Sequence, residues 1–241
     1  MTAIEPKTVA IIQSSYIPWK GYFDIIDQSD GFILLDDVQY TKRDWRSRNK
    51  IPTLQGEKWL TIPVHVKGKY HQKICDVEVS DDKWFRSHWG VIENAYRKAP
   101  FFRENKEFVR DLYMTATQNR LSEVNFHFLK KLCEWLGITT QITWSMDYAI
   151  DEADATERLA LLCAAENATT YLSGPAAQSY LDESNFNQRG MTVRYMDYEH
   201  ALPYPQLQEE FNPYVSVLDM IFNCGDRTMP LIRENRPSLS R

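Results

Sequence analysis

Two short apolar runs open the chain, Thr8-Val9-Ala10-Ile11-Ile12 and Gly31-Phe32-Ile33-Leu34-Leu35, with an amphipathic stretch at residues 21–29 between them. Apolar runs of this length bounded by Gly, Lys and Asp predict strands, and the helical spacing between them predicts a strand-helix-strand unit. Residues 59–64 and 74–79, both rich in β-branched side chains, predict two more strands. Helical spacing then takes over at residues 84–98, 102–117 and 122–136, and Gly137 supplies a C-terminal stop.

The alternation resumes with a strand at 140–144 and a helix at 155–165, where Asp154 and Glu157 form a capping box. A strand at 169–172, a short helical region at 176–186, a strand at 191–195, a Pro-rich loop and a helix near 214–222 complete the chain. Strands alternating with helices predict an α/β fold: a mainly parallel, Rossmann-like sheet with helices on both faces and a helical segment in the middle of the chain. No repeat, linker or low-complexity tract divides residues 1–241, so one domain is expected. Such sheets bind ligands at the carboxyl ends of their strands, so the segments that follow strands are where chemistry is expected.

Composition narrows the class without changing the fold. Of 241 residues, 43% are hydrophobic and 25% charged, which is ordinary for a globular chain. No run of 18 apolar residues exists, and the first seven residues lack the apolar stretch of a signal peptide, so a cytoplasmic protein without membrane insertion is expected. The four cysteines are far apart and form no CxxC pair, which argues against a zinc knuckle or a disulfide framework. No paired-His spacing exists, and neither GxxxxGK[ST] nor GxGxxG occurs, so no metal and no cofactor are expected.

The net charge is -5, but basic residues are concentrated early, chiefly in Lys42-Arg43-Asp44-Trp45-Arg46-Ser47-Arg48-Asn49-Lys50. Polymeric nucleic acid asks for a wider basic surface, so a small phosphorylated ligand is the expected partner. The loop after the first strand begins at Gln13 and carries Tyr16, Trp19, Lys20 and Tyr22; a polar amide closing an apolar strand must find partners. The loop after the second strand begins Asp36-Asp37-Val38-Gln39-Tyr40. Two adjacent carboxylates beside cations are able to shift one another's pKa and supply a base, or else to pair with Lys42 and Arg43 and fix a surface loop. Arg43, Arg48 and Asn49 suit phosphate recognition, and Trp45 or Tyr40 suits stacking on a nucleobase.

His65 and His88 are further candidates for a general base, whereas His71, His127 and His200 sit in no comparable context. Ser173 and Gly174, between a strand and a helix, offer backbone N–H groups to an oxyanion or phosphate. Ser173 is not in a GxSxG elbow, and Cys224, in a polar loop-like setting, is expected to be an inert thiol.

The segment from Gln13 to Phe23, the stretch Asp36-Asp37-Val38-Gln39-Tyr40 with Lys42, Arg43, Trp45, Arg48 and Asn49, and Trp59-Leu60-Thr61-Ile62-Pro63-Val64 resemble the signatures of the WbqC-like family. Later blocks, Tyr96 to Phe102, Tyr171-Leu172-Ser173-Gly174 and Phe211 through Asp219 to Gly225, follow in the same order. One departure is Gln13-Ser14 where the family commonly has Gln-Pro, which frees φ and adds a hydroxyl. The resemblance implies a role in bacterial O-antigen or other surface-polysaccharide biosynthesis, as a transferase on a nucleotide-linked sugar. The chemistry expected is acyl or aminoacyl transfer from a carrier-protein or coenzyme thioester to a sugar amine, with an acyl carrier protein as a second partner. Such a reaction needs a base, oxyanion donors and a cationic cradle for diphosphate; Asp37 (with Asp36) or His88, the backbone near Ser173 and Gly174, and Arg43 with Arg48 are the candidates. Two other classes remain open: a nucleotidyltransferase that lacks the HxGH signature, and a noncatalytic sugar-nucleotide or carrier-protein binding module.

Overall fold

A computed structural model of the protein describes residues 5–151, 154–198 and 202–236, so His200 lies outside the described residues. Five strands form one parallel sheet: β1 (Thr8–Ile12), β2 (Gly31–Leu34), β5 (Gln141–Trp144), β6 (Thr170–Ser173) and β7 (Thr192–Tyr195), in the spatial order β5-β2-β1-β6-β7. Between β2 and β5 the chain inserts an antiparallel hairpin, β3 (Arg48–Thr53) and β4 (Gly56–Thr61), paired from Arg48 opposite Thr61 to Thr53 opposite Gly56.

Alternation along the strands divides the core in two. Ala10, Phe32, Leu34 and Leu172 point to the larger layer, with α1 (Lys20–Asp27), α2 (Trp84–Tyr96), α3 (Phe102–Met114) and α4 (Leu121–Leu136). Val9, Ile11, Ile33 and Tyr171 point to the smaller one, under α5 (Ala155–Ala165) and Phe186 of α6 (Ser184–Asn187). The short α7 (Leu218–Cys224) and α8 (Thr228–Glu234) return to the larger layer, and bidentate pairing of Arg233 with Asp27, and of Arg236 with Asp24 and Asp27, clasps the end of α8 to α1.

The connections leave β1 in one direction on one face and in the other direction on the opposite face, as right-handed crossovers require. The strand order therefore reverses between β1 and β6, and the carboxyl ends of those two strands part to leave a crevice.

Local signals act where expected at several ends. The Asp154 side chain accepts the Glu157 N–H at 2.8 Å, and Gly137 takes the left-handed φ of 71° that closes α4. Three expectations are corrected. Residues 74–79 form a 3-10 turn at Ile74–Asp76 instead of a strand, because Ile74 and Val77 are both buried, a spacing of three that no strand can turn to one face. The helix expected from residue 214 starts at Leu218, and the region 176–186 divides into a 3-10 turn, Pro175–Ser179, and α6. No helix among the described residues is long and apolar enough to cross a membrane.

Candidate functional site

At the carboxyl ends of β1 and β6, where the strand order reverses, a cavity of about 350 Å³ opens to solvent. Ile12, the last residue of β1, Ser15, Pro18 and Trp19 form one side of it; Trp45, Arg46 and Asn49, leading into β3, form another; Gly174 closes the β6 end, with Tyr198 and Tyr214 at the rim. The walls are aromatic. Trp19 packs edge-on against Tyr198 at 4.9 Å between centroids and tilts against Tyr214 at 5.8 Å.

The charge in this apolar setting is Arg46, only 8% exposed. Its guanidinium donates to Gln13 Oε1 at 2.9 Å, its Nε has no partner, and among the described residues no carboxylate forms an ion pair with it. A guanidinium carries five N–H donors, so most of its hydrogen-bonding capacity is unspent, and a buried cation without a counter-ion is costly. An anion entering the cavity removes that cost.

A network beneath the cavity holds these groups in place. Asp36 is fully buried; its carboxylate accepts the Ser14 N–H at 2.8 Å and the Ser122 hydroxyl. Asn125 of α4 donates both to Ser14 Oγ, at 3.0 Å, and to the Arg46 carbonyl, at 2.9 Å. Ser14 thus supplies an N–H that a proline at this position could not, and ties the β1 loop to the backbone of Arg46. Asn49 donates to the Tyr16 and Ile17 carbonyls, Tyr40 shares a hydrogen bond with Ser47, and the Tyr22 hydroxyl donates to the Gln13 carbonyl.

His88 belongs to a different buried layer. Its Nε2 faces the Thr61 carbonyl, which only accepts, so Nε2 carries the proton; Nδ1 then accepts the Tyr16 hydroxyl at 2.8 Å, and the Tyr16 oxygen accepts from Tyr113 at 2.7 Å. Trp84 and Phe128 pack around this chain of bonds. Burial pushes the His88 imidazole down to about 4, which suits a neutral structural histidine and not a base poised at neutrality. Between pH 6.5 and 4 the unfolded chain takes up a proton at His88 that the folded one refuses, so the contribution of this residue to stability falls as the pH drops through the window, by about 3 kcal/mol. Burial raises the buried Asp219 carboxyl to about 6, which acts in the opposite sense over the same range, so the His88 effect is read as a difference: chemical denaturation at both pH values is expected to show the wild type losing about 3 kcal/mol more than a His88→Gln variant.

The other sequence candidates disperse. Asp37 forms an ion pair with Arg158 of α5 and accepts the Ser145 hydroxyl at 2.5 Å; burial works against its ionised form, but these partners prevail and hold its carboxyl below the usual range. It lies on the β2–β5 side of the sheet and does not line the cavity. Gln39 donates to the Tyr70 carbonyl, while Lys42, Arg43 and His65 are exposed and outside the cavity wall. Arg48 stacks its guanidinium on Trp59. Ser173 is buried, with its carbonyl receiving the Met196 N–H, and Gly174 beside it reaches the cavity. Of the sequence candidates, Trp45, Asn49 and Gly174 thus come together in its wall, with Gln13 bonded to Arg46. Cys224 is buried, and its thiol is pushed up to about 11, mainly by burial.

Arg46, Trp19, Tyr198 and Tyr214 were not singled out as site residues by the sequence. Arg46 stands among four neighbouring Lys and Arg of similar appearance, Lys42, Arg43, Arg48 and Lys50, and only the hairpin that turns it inward distinguishes it. Trp19 has a signal of its own: its ring lies over Gly21, where an added Cβ would meet the indole at 2.3 Å. Gly-to-Ala exchange within a helix ordinarily stabilises; here Gly21→Ala is expected to cost about 1–3 kcal/mol by overpacking, and to shift the tryptophan emission as Trp19 is displaced from the cavity wall.

Comparison with known proteins places these residues in a wider group. Residues 13–230 match the model of the WbqC-like protein family. The chain is also 44% identical over 227 residues, covering 94% of this chain and 98% of the relative, to a protein named "Uncharacterized protein Rv1507c" from Mycobacterium tuberculosis. No solved structure matches.

Proposed function

This chain belongs to the WbqC-like protein family, and from that premise and the chemistry of the cavity we propose that it is a transferase acting on a nucleotide-linked amino sugar in bacterial surface-polysaccharide biosynthesis. The observation that carries the reading is Arg46, a buried guanidinium without a carboxylate partner among the described residues, in an aromatic-walled cavity at the switch point of a parallel sheet. Sheets of this class take nucleotides at that position. A diphosphate would supply Arg46 with its missing acceptors in bidentate geometry, and Gly174, which has no side chain, would let backbone approach the phosphate closely.

The reaction we favour is transfer of an acyl or aminoacyl group from a carrier-protein or coenzyme thioester to the sugar amine. Among the described residues, no carboxylate or imidazole lines the cavity. Thioester aminolysis suits such a site: the neutral amine forms the C–N bond, the C–S bond breaks, and the proton that the nitrogen gives up passes to the departing thiolate, a good leaving group that here takes the part of the base, while alignment of amine and thioester supplies much of the acceleration. In this reading Asp36 and His88 position the scaffold, Asp37 fixes α5 through Arg158, and Ser15 with the Gly174 backbone are the polar groups nearest the reacting end.

The test is incubation with a panel of amino sugar nucleotides and acyl thioesters, read by mass spectrometry. A mass gain on one sugar nucleotide, matched by loss of the acyl group from its donor, is the expected result. Failure of every sugar nucleotide to bind, measured by calorimetry, would overturn the reading.

A further inference from the structure

The outer face of the hairpin carries a stack of flat groups that the core does not require. The Arg48 guanidinium lies 4.2 Å from the centroid of Trp59, and the Trp59 and Trp45 rings are 5.5 Å apart with 34° between planes. Trp45 also forms part of the cavity wall. Trp45 and Trp59 are 42% and 41% exposed, so each leaves a large share of an indole in water, and Tyr214, which also lines the cavity, is 61% exposed. Exposed rings gathered at the lip of a cavity mark a place where a ligand is covered on binding.

The stack selects the kind of group that covers it. A sugar ring held on an indole needs acceptors beside it for its hydroxyls, and among the described residues no carboxylate lines this cavity; the Asn49 side-chain oxygen already accepts the Lys50 N–H at 2.8 Å. A nucleobase needs only a flat π surface, and a cation on the far side of a ring is a favourable neighbour for that surface. Trp45 is adjacent in sequence to Arg46 and both line the cavity, so the exposed indole and the guanidinium without a counter-ion share one wall.

We propose that the Trp45–Trp59 stack, backed by Arg48, is the nucleobase subsite: the base of a nucleoside diphosphate lies against Trp45 at the mouth, the diphosphate meets Arg46 inside, and the group attached to the diphosphate reaches toward Gly174. This inference rests on the reading of the cavity as a sugar-nucleotide site. It goes further in placing the base at the mouth, on rings that read any base by its face.

The test compares inorganic pyrophosphate, uridine diphosphate and guanosine diphosphate as probes, by calorimetry and tryptophan fluorescence, on the wild type and on Trp45→Ala, Trp59→Ala and Arg46→Met. Both nucleoside diphosphates are expected to bind at least about tenfold more tightly than pyrophosphate and to quench the emission. Trp45→Ala should reduce their affinity to that of pyrophosphate and leave pyrophosphate itself unchanged. Trp59→Ala, which removes an exposed ring outside the cavity wall, should give a smaller loss in the same direction, so the inference stays testable if the Trp45 variant does not fold. If pyrophosphate binds through Arg46 but the base adds nothing, the stack is not a base subsite while the anion site stands. If Trp45→Ala weakens pyrophosphate as much as the nucleotides, Trp45 merely supports Arg46. If none of the three probes binds the wild type, both the subsite and the reading beneath it fall.

Discussion

Arg46→Met is expected to weaken anion binding by about 1.5–3 kcal/mol, a factor of about 10 to 150, while leaving the melting temperature unchanged or higher. The two effects come from one observation. Arg46 is buried with a single neutral acceptor, Gln13, and an unpartnered Nε, so the folded protein bears the cost of a dehydrated cation. Methionine keeps the unbranched stem of arginine as far as Nε and carries no charge, and replacing buried ionic groups by apolar ones is often neutral or stabilising. Calorimetric titration with pyrophosphate, set beside thermal denaturation without ligand, reads both. A variant that binds as before would move the anion elsewhere, and one that unfolds would make Arg46 a scaffold residue.

Asp36→Ala is expected to act in the opposite manner, with a loss of about 3–5 kcal/mol in stability. Its carboxylate serves two donors that have no water to turn to, the Ser14 N–H and the Ser122 hydroxyl, in a fully buried setting. Removing it orphans both. Because Ser14 is joined through Asn125 to the Arg46 carbonyl, the surviving folded fraction should also bind anions less well, although Asp36 does not line the cavity. Urea denaturation measures the first effect; a change of less than about 1 kcal/mol would show that the network does not hold the loop.

The alternation of strands and helices was legible because β1 and β2 are apolar on both faces, as strands covered on two sides must be. The ends of α4 and α5 were legible because Gly137 and Asp154 act through local backbone chemistry. The hairpin was only half legible: Trp59 and Leu60 read as strand, but Arg48-Asn49-Lys50 is polar, and its strand character comes from pairing with β4 and not from its own pattern. The candidate site shows the same divide. The basic segment pointed to an anion, but which cation faces the cavity depends on how the hairpin sits against the β1 loop, a relation between Tyr16 and Trp45 that no local spacing encodes.

The central strand has a consequence for how the protein is made. β1 pairs with β2 soon after it, but its other edge waits for β6, where Lys7 meets Thr169, 162 residues further along the chain. At about 5–20 residues per second, that edge stays open on the ribosome for roughly 10–30 seconds. Nascent chains at this stage carry Trp45 and Arg46 but neither Gly174 nor Tyr214, so they have half of an anion site and a bare strand beside it. An open edge of this kind is a template for pairing with other chains, and holdase chaperones that cover extended apolar segments should be found on β1 until β6 emerges. Anion affinity accordingly reports completed translation: chains released before Gly174 should remain unresponsive to pyrophosphate, however well their first 140 residues have collapsed.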